Sequence, residues 1–123
     1  MLTPHDRVLK AICHEEPDRV PISEPYGIHP PTADIVLGRE CIATSPIRQV
    51  MMHAEGRISE VRSALVNDNY ELVKKLGFDM APIILIPRED TPGPRIIGAR
   101  SWAEGDSVFR LEQGGIPVLV PRI

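Results

Sequence analysis

The sequence predicts an α/β fold, and three features indicate it. A capped helix that runs into a short apolar segment occupies residues 3–22. A long amphipathic helix leads through Gly77 into the continuous apolar run Phe78–Ile86, a pattern typical of a parallel strand covered on both faces. Near the C-terminus, two short apolar segments flank Gly114 and Gly115 and predict an antiparallel β-hairpin.

The first predicted element is a helix that starts after Thr3 and ends near His14. The Thr3 hydroxyl is a suitable N-cap, and Pro4 fits the first helical position because its missing N–H has no partner to lose there. The short run Val20–Ile22 follows as a predicted strand. Because Pro21 cannot donate to a ladder, the run is either an edge strand or the start of a strand.

Further helices are predicted between this strand and the next. Asp34–Leu37 fits one helical turn, a second helix starts at Pro46, and Ile58–Leu76 is a longer helix with an apolar stripe. A strand–helix–strand order of this kind predicts that Val20–Ile22 and Met80–Ile86 are adjacent parallel strands.

The C-terminal part of the chain predicts a small antiparallel unit. Arg95–Ile97 is a short strand, and Ser107–Leu111 and Ile116–Val120 form the arms of the hairpin. We expect Trp102 and Phe109 to pack within this unit.

The composition is that of one globular domain without a nucleic-acid partner. The chain has 123 residues, of which 42% are hydrophobic, and a formal net charge of −3, so no basic surface for nucleic acid is expected. No apolar run approaches the roughly 20 residues of a membrane-spanning helix, so no membrane association is predicted. Two isolated cysteines and no signal peptide predict a cytoplasmic location.

Two stretches of the sequence resemble a known superfamily. The phrase Glu-Pro-Asp-Arg-Val-Pro at residues 16–21, directly after an amphipathic helix, resembles the opening of the uroporphyrinogen decarboxylase superfamily. Its relatives include the corrinoid (methylcobamide) to thiol methyltransferases. The phrase Lys-Lys-Leu-Gly-Phe-Asp at residues 74–79, and a β-structured insertion with Trp102 near its start, are similar to this methyltransferase branch.

The resemblance implies a partial (β/α)8 TIM barrel, of which this chain supplies the N-terminal third. On that interpretation the chain 1–123 is a single N-terminal portion, in which residues 1–94 start the barrel and residues 95–123 form the β-hairpin insertion. Full-length relatives carry out corrinoid-dependent methyl transfer or porphyrinogen decarboxylation. Barrel active sites combine residues from the ends of several strands, so we expect the isolated chain to be inactive. Whether the chain is itself an enzyme stays open.

Two loops that follow the predicted strands contain the candidate substrate-binding residues, because barrel enzymes bind substrate at the C-terminal ends of their strands. These candidates are Glu24, Tyr26 and His29 in the first loop, and Arg88, Glu89 and Asp90 in the second. Both sets also fit ordinary solvated loops. In that case Arg88 would be neutralised in water by its two acidic neighbours.

The resemblance also sets expectations for cofactors. An arginine-rich segment after the first strand grips the substrate carboxylates in the decarboxylases, but the loop 23–31 of this chain contains no arginine. Zinc is held in the methyltransferases by a His-x-Cys pair and a later cysteine, and neither element is present here. We therefore expect no metal or cofactor in this chain, with zinc and a corrinoid confined to a full-length relative. A zinc site made of Cys13, His14 and Cys41 is the alternative, which their spacing does not favour.

The expected partners depend on the same interpretation. A full-length relative would act on a small-molecule substrate or a corrinoid protein. A partial barrel leaves a strand edge and an apolar helix stripe uncovered, so we expect a homo-oligomer. The alternative from another class is a small α/β structural or protein-interaction module that acts through oligomerisation.

Overall fold

Four helices precede a four-stranded antiparallel sheet in a computed structural model that describes residues 1–24, 28–82, 84–113 and 115–121. The helices are α1 (Pro4–Ile12), α2 (Pro30–Leu37), α3 (Pro46–Ala54) and α4 (Ile58–Leu76). The strands are β1 (Arg95–Gly98), β2 (Ser101–Glu104), β3 (Ser107–Leu111) and β4 (Pro117–Leu119). The predicted α/β class is confirmed at this level.

The first helix begins with the cap that the sequence predicts. The Thr3 Oγ1 accepts the backbone N–H of Asp6 at 3.1 Å. At the other end α1 stops two residues before His14, which adopts the left-handed conformation with φ of 60°. The amide of the residue after His14 donates to the Lys10 carbonyl at 2.8 Å, which closes the helix as a Schellman motif.

The second helix is longer than the single turn predicted for residues 34–37. It begins at Pro30, because two consecutive prolines supply helical φ angles at positions where no N–H is needed. Helix α3 begins at Pro46 as predicted, although Ser45 makes no side-chain cap hydrogen bond.

The longest helix, α4, has the predicted bounds and contributes to the core. Leu72 of α4 is buried together with Ala33 and Leu37 of α2 and with Cys41 in the loop after α2. The helix ends at Gly77, whose φ of 67° is the left-handed conformation that favours glycine.

The two predicted parallel strands are not formed within the described parts of residues 20–22 and 78–86. The segments are nevertheless neighbours, since the Asp79 amide donates to the Ile22 carbonyl at 2.8 Å. Pro21 and Pro82 have no N–H for a longer ladder, and a pair of strands without further neighbours is marginal in water. The expectation of regular parallel strands here was therefore wrong.

The C-terminal unit is larger than the predicted hairpin. The strands lie in the order β1-β2-β3-β4, and each pairs antiparallel with its neighbour in sequence. The predicted pairing of β3 with β4 is confirmed, and Trp102 of β2 stacks on Phe109 of β3 with ring centroids 5.8 Å apart. The strand that the sequence analysis missed is β2, which joins β3 through Gly105, with φ of 55°, and Asp106.

The sheet contacts the helices through α3 and the loop that precedes β1. The His53 Nε2 of α3 lies 2.9 Å from the Thr91 carbonyl oxygen. A Cβ at Gly93 would lie 3.1 Å from the His53 carbonyl oxygen, so the loop passes close to the end of α3. Within the described ranges, none of the helices has the length and apolar character needed to cross a membrane.

Candidate functional site

The first predicted loop is described in part. Tyr26 lies outside the described residues. Glu24 is half-buried, and His29 is exposed immediately before α2. The His29 carbonyl accepts the amide of Ala33 at 3.0 Å, so the backbone of His29 starts the helix.

The charged side chains of the second predicted loop form two ion pairs, one within the loop and one with α4. The Arg88 guanidinium donates to both carboxylate oxygens of Asp90, at 2.9 and 2.8 Å. Glu89 lies 2.9 Å from Arg62 of α4. All three loop side chains are exposed, as the solvated-loop interpretation predicts, and their role in substrate binding stays a prediction.

A partly buried charge cluster joins the two stretches that carry the superfamily resemblance. It consists of Arg7, Asp18, Arg19 and Asp79, and we call it the Arg7 cluster. The Arg7 guanidinium donates to both Asp18 oxygens, at 2.6 and 3.0 Å, and also to Asp79. The side chains of Arg7 and Asp79 are 4% and 1% exposed. This cluster therefore fixes the first helix against the chain that follows α4.

Asp79 is the centre of the Arg7 cluster. Arg19 donates to its two oxygens at 2.7 and 3.1 Å, and the amide of Ile22 donates to it at 2.9 Å. One carboxylate thus accepts hydrogen bonds from two guanidinium groups and from the backbone of the other segment. An acceptor with this many donors is a structural anchor.

The electrostatics of the Arg7 cluster keep both acids ionised. Burial acts to raise the pKa of Asp79, but the Ile22 amide and the two arginines outweigh it and lower the pKa below its ordinary value. The hydrogen bond from Arg7 lowers the pKa of Asp18. Two arginines and two carboxylates compensate one another, so neither acid is suited to proton transfer near neutral pH.

A second group of carboxylates holds the loop after α2, and the sequence analysis missed it. Asp68 of α4 is 3% exposed and accepts the amides of Ile42 and Ala43 at 2.8 and 3.2 Å. Arg39 donates to the other Asp68 oxygen at 2.8 Å. Asp68 falls in helical register with the buried Leu65 and its apolar neighbours, and that register is the signal that would have identified it.

Asp34 of α2 completes this arrangement. Its carboxylate accepts two hydrogen bonds from Arg48, both of 2.7 Å, and the Cys41 amide at 2.7 Å. These contacts, with Arg48 as the largest cause, lower the pKa of Asp34 to about 2. The loop around Cys41 is therefore held from both helices by charged hydrogen bonds.

The two cysteines lie in different environments. Cys13 is exposed and Cys41 is fully buried, and burial raises the pKa of the Cys41 thiol. A raised pKa keeps that thiol protonated and unreactive at neutral pH. Among the residues that the structure describes, no group of three or more His, Cys, Asp or Glu side chains is placed to hold a metal ion.

A cavity of about 390 Å³ lies between α3, the start of α4, the loop after Pro87 and the turn that joins β2 to β3. Its lining includes Val50, His53 and Glu104. The second predicted loop contributes Pro87 and the segment 91–94 to this lining. The sequence analysis selected the three charged residues of this loop as candidates. The cavity is lined instead by the residues on either side of them.

Comparison of the chain with protein-family models, with curated proteins and with solved structures found no match. The superfamily suggested by residues 16–21 and 74–79 therefore stays a prediction, and the case for a function rests on the geometry of the described residues.

Proposed function

We propose that this chain is the N-terminal portion of a uroporphyrinogen decarboxylase-like protein, whose full-length form carries out corrinoid-dependent methyl transfer or porphyrinogen decarboxylation. The observation that carries the proposal is the Arg7 cluster. Asp18 and Arg19 belong to the phrase at residues 16–21, and Asp79 ends the phrase at residues 74–79. The residues that suggest the superfamily therefore contact one another, although about 60 residues separate them.

The position of the cluster supports a structural role for these phrases. Asp18 and Arg19 come just before the segment Val20–Ile22, and Asp79 comes just before Met80–Ile86. In a (β/α)8 barrel, the N-terminal ends of the strands carry stabilising residues and the C-terminal ends carry catalytic ones. A partly buried ion cluster at the start of both segments fits the stabilising end.

The chemistry of the proposed family would come from segments other than those described. Methyl transfer to a thiol needs a metal that keeps the thiolate deprotonated at neutral pH. Decarboxylation of a polycarboxylate needs cations around the substrate, whereas Arg88 is paired with Asp90. We therefore assign to this chain the scaffold of the first barrel wall and expect it to be inactive alone.

Metal analysis and activity assays of the purified chain test this assignment. After dialysis we expect no stoichiometric zinc, and neither methyl transfer to a thiol nor porphyrinogen decarboxylation above background. About one zinc per chain, lost in Cys41→Ser, would show a metal site within this chain and overturn the scaffold role. Sequencing the gene beyond the codon for Ile123 adds an independent test. A continuation with a His-x-Cys motif supports the proposal, and an immediate stop codon contradicts it.

A small interaction module is the second candidate, and one observation favours it. Val20 and Leu85 are 79% and 93% exposed in the two neighbouring segments that the Arg7 cluster joins. Exposed apolar side chains in neighbouring segments are typical of surfaces that another chain covers. A stop codon after Ile123 together with a stable homodimer in solution would favour this function over the barrel portion.

A further inference from the structure

We propose that the cavity between α3 and the sheet binds a small organic ammonium ion with an apolar body. The volume, about 390 Å³, is within the range of sites for small molecules. Val50 and Ile58 supply aliphatic lining, and Pro87, Pro92 and Pro94 add apolar rings that carry no backbone N–H. These walls suit the hydrocarbon part of a ligand.

Side-chain N–H donors at the cavity are already in use. The Gln49 Nε2 donates to the carbonyls of Ile42 and Ala43, at 2.9 and 3.0 Å. The His53 Nε2 lies 2.9 Å from the Thr91 carbonyl, and a carbonyl can only accept, so this nitrogen carries the proton. Gln49 therefore keeps an acceptor, its Oε1, that no hydrogen bond among the described residues occupies.

The charge at the cavity is negative. Glu104 lies in the lining, and its Oε1 accepts the indole N–H of Trp102 at 2.8 Å. Its other oxygen makes no hydrogen bond with the described residues. Neither lysine nor arginine is among the described residues that line the cavity. One carboxylate and a neighbouring acceptor favour a ligand that donates hydrogen bonds and carries positive charge, and they disfavour an anion.

The chain contains one tryptophan, which gives the test a built-in reporter. The Trp102 indole N–H donates a hydrogen bond to Glu104. The indole resonance in a ¹⁵N–¹H spectrum therefore responds to a ligand at that carboxylate. We would titrate the protein with benzylammonium, and in parallel with benzyl alcohol and benzoate, which keep the ring and change the charged group. We expect a saturable shift with benzylammonium and weaker or no binding of the other two.

Matched variants separate the charge from the cavity. Glu104→Gln keeps an acceptor for Trp102 and removes the charge, so we expect benzylammonium affinity to fall about fivefold, the effect of a partly exposed charge pair. Glu112→Gln removes a carboxylate outside the lining, one that pairs with Arg110, and should change the affinity by less than about twofold. Val50→Phe leaves Glu104 in place but partly fills the cavity, and it should weaken benzylammonium and benzyl alcohol alike.

Three results would overturn the proposal. The first is no saturable shift of the indole resonance up to the solubility limit of benzylammonium. The second is binding of benzyl alcohol or benzoate as tight as that of benzylammonium. The third is unchanged benzylammonium affinity in both Glu104→Gln and Val50→Phe, each checked for native folding by its thermal transition.

Discussion

Asp79 is the residue through which two distant stretches of the chain meet. It accepts hydrogen bonds from Arg7 and Arg19 and from the Ile22 amide, and its side chain is almost fully buried. Removing one member of a buried ion cluster leaves the others without compensation, which costs far more than the loss of a surface pair.

We therefore expect Asp79→Asn to lower the Tm by clearly more than Asp90→Asn does. The two variants make the same chemical change, but Asp90 pairs with Arg88 on the surface, where both side chains are mostly exposed. Thermal unfolding followed by circular dichroism measures the difference. Equal Tm values for the two variants would contradict the structural role of the Arg7 cluster.

The lowered pKa of Asp34 predicts how the free energy of unfolding changes with pH. Its pKa falls from an ordinary value of 3.8 to about 2 in the folded protein because Arg48 and the Cys41 amide donate to it. A depressed pKa means that the unfolded chain binds the proton first as the pH falls. The stability that Asp34 contributes is therefore complete above about pH 4 and is lost as the pH falls from about 4 to about 2.

Urea unfolding at several pH values checks this expectation. The free energy of unfolding should fall with pH in that window, and it should fall less steeply in Asp34→Asn, which cannot ionise. Asp18 and Asp79 also have lowered pKa values, so some slope remains in the variant. Identical slopes in the two proteins would mean that Arg48 does not stabilise the ionised form of Asp34.

The sequence predicted local residue roles better than distant ones. The N-cap at Thr3 is confirmed because cap and acceptor lie within one helical turn. Asp68 and Asp79 were missed as anchors, since their donors come from segments at least 25 residues away. The sequence alone does not indicate whether a carboxylate is hydrogen-bonded to water or to a buried arginine.

At the scale of secondary structure, the C-terminal ends of α1 and α4 can be compared. Both helices end with a residue in the left-handed conformation, His14 after α1 and Gly77 after α4. Glycine adopts this conformation without a Cβ clash, whereas the Cβ of histidine makes it energetically unfavourable.

We expect His14→Gly to raise the free energy of unfolding by about 0.5–1 kcal/mol, because it relieves backbone strain at the end of α1. Gly77→Ala should lower it by about 1 kcal/mol, since nothing lies within 4 Å of the added Cβ and the cost is in the backbone alone. Chemical denaturation of both variants measures these changes. A destabilised His14→Gly would show that the histidine side chain makes a stabilising contact.

Elements with strong local signals were predicted with nearly correct bounds. Helix α4 and strand β3 have the predicted ends, because a sustained apolar stripe and alternation at a turn define them. Strand β2 was missed because Ser101–Glu104 contains one large apolar residue, although Gly105-Asp106 is a hairpin signal. The apolar run 78–86 was assigned to a strand, but strand formation also depends on partners that the run itself does not encode.

At the scale of the whole molecule, apolar side chains are exposed in the two segments that the Arg7 cluster joins. Val20, Ile22 and Leu85 are all substantially exposed there. Both the barrel portion and the interaction module require this surface to be covered, in the first case by further barrel segments and in the second by another copy of the chain. These exposed side chains are a physical reason to expect a homo-oligomer, which stays a prediction.

We expect the isolated chain to associate through these segments. Leu85→Lys should weaken self-association at least about tenfold, because it puts a charge in a buried apolar contact. Ile35→Lys, which replaces a similarly exposed side chain on α2, should leave self-association unchanged. Sedimentation velocity over a range of concentrations measures both effects. A well-behaved monomer with a sharp thermal transition would contradict the expectation.

The order of the sheet has a consequence for how the molecule acquires its structure. Every strand in the described part of the chain pairs with its neighbour in sequence, whereas the hydrogen bond between Arg7 and Asp79 spans 72 residues. Local pairings close short loops and form early. A contact between residues so far apart forms later, because closing a large loop costs more chain entropy. We expect the C-terminal unit to form first and the first helix to dock last. In refolding, Trp102 fluorescence would then recover before the cluster that holds the N-terminus is complete.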